Sequence, residues 1–179
     1  MKRRYKKVAD YQTFEERNLL AADISLSLDS GVISIQGSDR ADVVYVREYQ
    51  GDVLVRYGVR GEGNLKGERF SAADVESVFY RGDAGDDVFV NSTALDSRAH
   101  GDAGNDTFRG GSGDDSFHGG EGDDNFMGND GNDDLHGDTG NDWLHGGDGD
   151  DEVLGWFGND TLLGGDGDDY VSGLSLIHI

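Results

Sequence analysis

From Gly82 onward, glycine and aspartate recur with a period of nine residues, and no other feature constrains the fold as strongly. The blocks are GDAGDDVFV (82–90) and then, without a gap from 101 to 172, GDAGNDTFR, GGSGDDSFH, GGEGDDNFM, GNDGNDDLH, GDTGNDWLH, GGDGDDEVL, GWFGNDTLL and GGDGDDYVS. Positions one and four are Gly in all nine blocks, and position six is Asp in all nine. Position five is always Asp or Asn, and position eight is Phe, Leu or Val. So short a unit buries little by itself and must stack on its copies. A disordered Gly/Asp tail would not keep a fixed apolar phase.

Each nonapeptide divides into a six-residue turn and a three-residue strand. Position eight points inward, so Phe108, Phe126, Leu144 and Leu162 are expected along one wall, facing Phe117, Leu135, Val153 and Val171 on the other. The two glycines supply backbone conformations that residues with a Cβ resist, and they let carbonyl oxygens crowd together. The position-six carboxylate closes the turn. Carbonyls with carboxylates, six to eight oxygens at about 2.3–2.6 Å, are what a hard cation such as Ca²⁺ requires.

The charge supports a cationic ligand. The chain carries 15 Lys and Arg against 37 Asp and Glu, and residues 101–172 hold 20 acids with one base, Arg109. Nucleic acid and anionic membrane are poor partners for such a chain, because binding them needs clustered cations. No stretch is apolar for long enough to span a membrane as a helix. With no cysteine, any metal must be held by oxygen or histidine.

Upstream of the array the texture is that of strands. ISLSL (24–28), VISIQ (32–36), DVVYVRE (42–48), DVLVRY (52–57) and VESVFY (75–80) alternate at period two, and GVRGEGNLKG (58–67) reads as a loop. The stretch GSDRADVVY (37–45) is a degenerate repeat with Gly37, Asp42 and Val44 in phase but Arg40 at the second glycine, so no calcium site is expected there. NSTALDSRAH (91–100) interrupts the array. It keeps the apolar phase through Ala99, nine residues before Phe108, and reads as a degenerate turn with a one-residue insertion.

The pattern GGxGxDxUx, with U apolar, resembles the RTX calcium-binding repeat of secreted bacterial proteins, over residues 82–172. The resemblance implies an all-β, right-handed parallel β-roll in which two nonapeptides form one coil and each Ca²⁺ sits between turns two repeats apart. It implies Asp87, Asp106, Asp115, Asp124, Asp133, Asp142, Asp151, Asp160 and Asp169 as carboxylate ligands. Turn carbonyls would join them, with Gly101, Gly110, Gly119, Gly128, Gly137, Gly146, Gly155 and Gly164 at the opening position. Eight contiguous turns make six pairings, and Asp87 with Asp106 would make a seventh. About six or seven ions are expected.

Other features receive plainer readings. His118 and His136 stack on one outer face, with Met127 and His145 on the other, as solvated strand positions; a zinc pair is the alternative. Trp143 and Tyr170 are singly exposed aromatics, with a sugar or partner contact as the alternative. Trp156 and Phe157 stand where glycine and a small residue are usual, and predict a bulge or an aromatic ledge. There is no H-E-x-x-H, G-x-S-x-G or phosphate-loop motif, and the acid pairs recur too often to mark a general acid and base, so no catalysis is expected.

The ends carry separate expectations. Residues 5–22 have a helical look around Phe14, Leu19 and Leu20, and QTFEERNLLAAD (12–23) resembles a short segment near the start of many large exported bacterial proteins. The final LSLIHI (174–179) breaks the tenth repeat and matches the translation of a transposon end used to fragment DNA for sequencing. It is read as non-native. The expected organisation is a basic leader (1–22), a β-rich cap (23–81), the roll (82–173) and this end (174–179). The expected function is calcium-driven folding of an extracellular or cell-surface module of a larger exported protein. The alternatives are an accessory module of a secreted hydrolase or polysaccharide-modifying enzyme, and an adhesin that binds surface or matrix polysaccharide.

Overall fold

The computed structural model describes residues 24–63 and 65–173. The helical and export-like readings of residues 5–23 and the reading of LSLIHI lie outside the described residues.

The described chain is built from strands β1 (Ser25–Asp29), β2 (Val32–Gln36), β3 (Asp42–Tyr49), β4 (Asp52–Val59), β5 (Lys66–Ser71), β6 (Ser77–Ala84), β7 (Val88–Ser92) and β8 (Asp96–Ala103). They continue as β9 (Thr107–Arg109), β10 (Ser116–Glu121), β11 (Asn125–Asp130), β12 (Asp134–Thr139), β13 (Trp143–Asp148), β14 (Glu152–Leu154), β15 (Thr161–Asp166) and β16 (Tyr170–Ser172). One sheet runs β1-β2-β6-β8-β10-β12-β14-β16 and the other β15-β13-β11-β9-β7-β3-β4-β5. Strands alternate between the sheets while each pairs in parallel with the strand two repeats away. Phe117 lies opposite both Ala99 and Leu135, and Phe126 opposite both Phe108 and Leu144. The fold is a parallel β-roll with two nonapeptides per coil.

The apolar phase fills the space between the sheets. Phe89, Phe108, Phe117, Phe126, Leu135, Leu144 and Val153 are all at most 1% exposed. The rings form a continuous column: Phe108 stacks on Phe126 at 4.9 Å, and Phe117 meets both edge-on at 5.7 and 5.9 Å. Each such side chain contributes roughly 1.5–3 kcal/mol by leaving water. Val171 departs from the expected inward packing, being 44% exposed, and Leu162 is only partly buried. They belong to the last described coil, over which no further described coil lies.

The parallel stacking starts earlier than the glycine array. β2 and β3 pair in parallel with β6 and β7, setting Ile33 on Val78, Ile35 on Tyr80 and Val44 on Phe89. Residues 32–46 therefore make a first coil without the glycine pattern. Beyond it, β1 closes one sheet and the β4–β5 pair closes the other, both antiparallel. The expected 58–67 loop is shorter, because β4 runs to Val59 and β5 begins at Lys66. KGERFS shows little hydrophobic alternation because it is an edge strand, held by backbone pairing and carrying charges that discourage further strands. The strand expected from Val75 begins at Ser77, after a 3₁₀ turn at Ala72–Asp74, with the Glu76 N–H donating to the Gly31 carbonyl at 2.7 Å.

NSTALDSRAH does form a degenerate turn in phase. Ala99 is fully buried between Tyr80 and Phe117. Side chains satisfy its backbone: the Asn91 amide donates to the Leu95 carbonyl at 2.7 Å, and the Thr93 hydroxyl donates to Asn91 Oδ1 at 2.7 Å.

Phe117→Ala removes a ring from the middle of this column and is expected to destabilise the folded chain by about 3–5 kcal/mol. Chemical denaturation in saturating Ca²⁺ measures it, and a loss below about 1 kcal/mol would contradict the packing described.

Candidate metal centre

The turns stack along the two edges of the roll. On one edge turns 37–42, 82–87, 101–106, 119–124, 137–142 and 155–160 lie above one another, and on the other 92–97, 110–115, 128–133, 146–151 and 164–169. Two side-chain ladders of opposite direction join them.

The position-six carboxylates reach down to the preceding coil. Oδ1 of Asp106 accepts from the Asp87 N–H at 2.8 Å, Asp124 from Asp106 at 2.7 Å, Asp142 from Asp124 at 2.8 Å and Asp160 from Asp142 at 3.1 Å. On the other edge Asp133 accepts from Asp115 at 2.8 Å, Asp151 from Asp133 at 2.8 Å and Asp169 from Asp151 at 3.1 Å. All seven expected pairings are therefore stacked, including Asp87 with Asp106 across the insertion.

The position-five side chains reach up instead. Asp86 Oδ1 accepts from Asn105 N–H at 2.9 Å, Asn105 from Asp123 at 2.7 Å and Asp123 from Asn141 at 2.7 Å. Asp96, Asp114, Asn132 and Asp150 repeat this on the opposite edge. This role escaped the sequence reading, although its signal was present: Asp and Asn share an Oδ1 acceptor and interchange freely at position five. The Asn141 amides donating to Asp123 hold its carboxyl below the ordinary carboxylate range.

The second oxygen of the position-six carboxylates is different. Oδ2 of Asp87, Asp106, Asp124, Asp133, Asp142 and Asp151 is buried without a hydrogen-bond partner. Each points at the Cα of the glycine opening its own turn, where a Cβ would overlap it. The carbonyl of the next coil's opening glycine converges on the same spot. A Cβ on Gly101 would lie 2.7 Å from the Gly119 oxygen, one on Gly119 2.7 Å from that of Gly137, and one on Gly128 2.7 Å from that of Gly146. Gly82 faces the Gly101 oxygen, Gly110 that of Gly128, and Gly146 that of Gly164. The expected carboxylates and carbonyls thus meet in pairs of adjacent turns. At Gly137, Gly155 and Gly164 the three atoms nearest a Cβ all belong to the aspartate of the same turn, Asp142, Asp160 and Asp169.

This divides the work of the two fixed glycines, both of which the sequence reading treated as conformational. Position four needs glycine for conformation and space: Gly104 has φ +134° and packs directly on the Gly85 carbonyl. Position one has no positive φ and is glycine because the carboxylate oxygen occupies the Cβ volume. Position two carries the additional strain, with Asp83, Asp102, Asn129, Asp138 and Trp156 at φ between 64° and 82°. The Trp156–Phe157 turn keeps its ladder, with the Phe157 N–H donating to Asp138 at 2.9 Å, and forms the ledge without a bulge.

Three positions depart from the pattern. Asp115 has both oxygens partnered, Oδ1 by the Ser97 N–H and hydroxyl and Oδ2 by the Gly111 N–H at 3.0 Å, because Ser97 replaces aspartate in the turn below. Asp42 is likewise satisfied, by the Ser38 N–H and hydroxyl at 2.6 and 3.1 Å, in keeping with the expectation of no calcium there. The Gly110 carbonyl accepts from the Asn129 side chain.

Burial pushes the position-six carboxyls up, to about 8 at Asp87 and Asp124, about 7 at Asp133 and about 6 at Asp106, Asp115 and Asp142. At neutral pH a site built this way favours either a proton or a cation. Unpartnered anionic oxygens beside carbonyls, with no nitrogen or sulfur donor, suit Ca²⁺.

A carboxyl whose folded pKa is raised contributes stability that is lost as pH rises, because the unfolded chain ionises first. In EDTA the thermal midpoint is expected to fall between pH 5 and pH 8, while Ca²⁺ affinity rises over the same interval. Calorimetric scans check both, and a metal-free midpoint that climbs with pH would contradict the burial. Gly104→Ala is expected to cost more than the ~1–3 kcal/mol of its backbone strain, because its Cβ would also overlap the Gly85 carbonyl, and denaturation in Ca²⁺ reads the loss.

A family model described as the RTX calcium-binding nonapeptide repeat (four copies) matches residues 100–135, 127–162 and 157–175. No curated protein and no solved structure matches the chain. The 82–90 block, with Asp87, lies outside the matched residues and joins them through the same ladder and the same orphaned oxygen. Stacked turns, convergent oxygens and this match agree that residues 100–173 resemble RTX-type calcium-binding nonapeptide repeats.

Proposed function

We propose that the chain is a structural module whose folding is driven by calcium, working outside the cell as part of a larger exported protein. The observation that carries this reading is the set of six buried carboxylate oxygens without partners, five of them held against a neighbouring coil's carbonyl. In the absence of cations these oxygens oppose the stacking that buries them, and the 20 acids of residues 101–172 repel one another. Ca²⁺ converts the same groups into ligands, so binding and folding are one event.

In this reading six or seven ions bind, one for each stacked pair of glycine turns. The Asp115–Asp133 pair is the weakest, since Asp115 is already satisfied by hydrogen bonds. Catalysis is assigned to no residue of this chain, and the acid pairs of the turns are accounted for by the two ladders. Extracellular calcium modules bind at roughly 10⁻⁴–10⁻³ M. Such an affinity leaves the chain extended where calcium is scarce and folds it where calcium is abundant, which suits export as an unfolded polypeptide.

Far-UV circular dichroism of the full chain in EDTA at pH 8 is expected to retain only the β signal of the first coil and its flanking strands, the remainder returning cooperatively with a midpoint near 10⁻⁴–10⁻³ M Ca²⁺. A spectrum unchanged by millimolar Ca²⁺ would overturn the reading. Asp124→Asn, which removes a central anionic ligand, is expected to raise that midpoint more than Asp115→Asn.

A further inference from the structure

On the outer face of the roll, beside the 137–142 turn, His118, His136 and Asp138 bring their donor atoms within 4.8 Å of one another. The register explains why. β8, β10 and β12 pair in parallel, placing His100, His118 and His136 side by side at position nine on the outer face of their sheet. The rings of His100 and His118 stack at 5.0 Å, and those of His118 and His136 lie 4.4 Å apart. Both histidines lie on the outer face as expected but are partly covered there, His136 to 20% exposure.

Asp138 lies two residues beyond His136 and so on the same face of β12. Its partner across the ladder is Gly120, which has no side chain to obstruct it. The carboxylate reaches towards the preceding coil, with Oδ2 3.9 Å from His118 Nδ1. That is too far for a hydrogen bond. It is close to the roughly 3.4 Å that separates two ligand atoms held about 2.1 Å from one tetrahedral ion. The Asp134 carboxylate also lies 2.7 Å from His136 Nε2.

We propose that His118, His136 and Asp138 form a transition-metal site of the Zn²⁺ class, built on different side chains from the position-six calcium cradles, which clips two successive coils together on the outer face of the roll. The two-imidazole, one-carboxylate donor set suits zinc and disfavours Ca²⁺, which takes oxygen ligands. Three protein ligands leave a fourth position for water or an external donor. The site exists only when the coils are stacked, so zinc binding depends on the calcium-folded state.

Titration calorimetry of the full chain with Zn²⁺, in saturating Ca²⁺, tests this. One Zn²⁺ per chain is expected, with affinity at least tenfold weaker in His118→Gln and in Asp138→Asn and unchanged in His145→Gln, whose residue lies on the other sheet opposite Met127 and Leu163. Co²⁺ as a probe should give tetrahedral absorption bands that His118→Gln abolishes, and circular dichroism in Ca²⁺ shows that each variant keeps the roll. Three results would overturn the proposal: no saturable Zn²⁺ uptake, uptake unchanged in the His118→Gln/His136→Gln double variant, or zinc displaced stoichiometrically by added Ca²⁺. The last would place zinc in the turns.

Discussion

The hydrogen bond from a backbone N–H in one coil to the position-six carboxylate of the next is the interaction on which the rest of the roll depends. Repeated along both edges, it sets the eighteen-residue register between strands and brings the apolar side chains into line. It uses only one oxygen of each carboxylate. In six of them the other is left buried without a partner, so the bond that assembles the stack also creates its requirement for a cation. Stability and metal binding are two consequences of a single side-chain geometry.

The chain lowers this requirement at the ends of the glycine array by replacing the cation with hydrogen bonds. Ser38 satisfies Asp42 in the first coil, and Ser97 with Gly111 satisfies Asp115 beside the degenerate turn. In the first coil, the β1 and β4–β5 strands and an apolar core of Ile33, Ile35, Val44, Val46, Val53 and Val55 replace ion-dependent stacking. This part of the molecule is suited to remain ordered at low calcium and to template the next coil, since Asp42 N–H already donates to Asp87 at 2.7 Å. Propagation from one end is what a nearest-neighbour stack permits.

Much of this was legible in the residues because the repeat is short and its constraints are local. The apolar phase predicted which side chains fill the core, and Ala99 kept that phase through a segment with no glycine pattern. What escaped was whatever depends on neighbours eighteen or nineteen residues away. KGERFS gave no hydrophobic signal because an edge strand needs only backbone pairing. The interchange of Asp and Asn at position five has no meaning within one turn, because its Oδ1 accepts from the following coil. The opening glycine looked conformational although its φ is ordinary, since what excludes a Cβ there is a carboxylate oxygen five residues on.

The sequence by itself determined the nine-residue unit, the inward apolar position, the excess of acid and hence the need for a hard cation. These follow from residue type and spacing along one chain. Only the tertiary structure decided which oxygen of each carboxylate is spent on stacking and which is free for metal, that residues 32–46 begin the roll, and that three histidines and an aspartate share one face. Those relations are distances between coils, and they arise only once the chain has been wound.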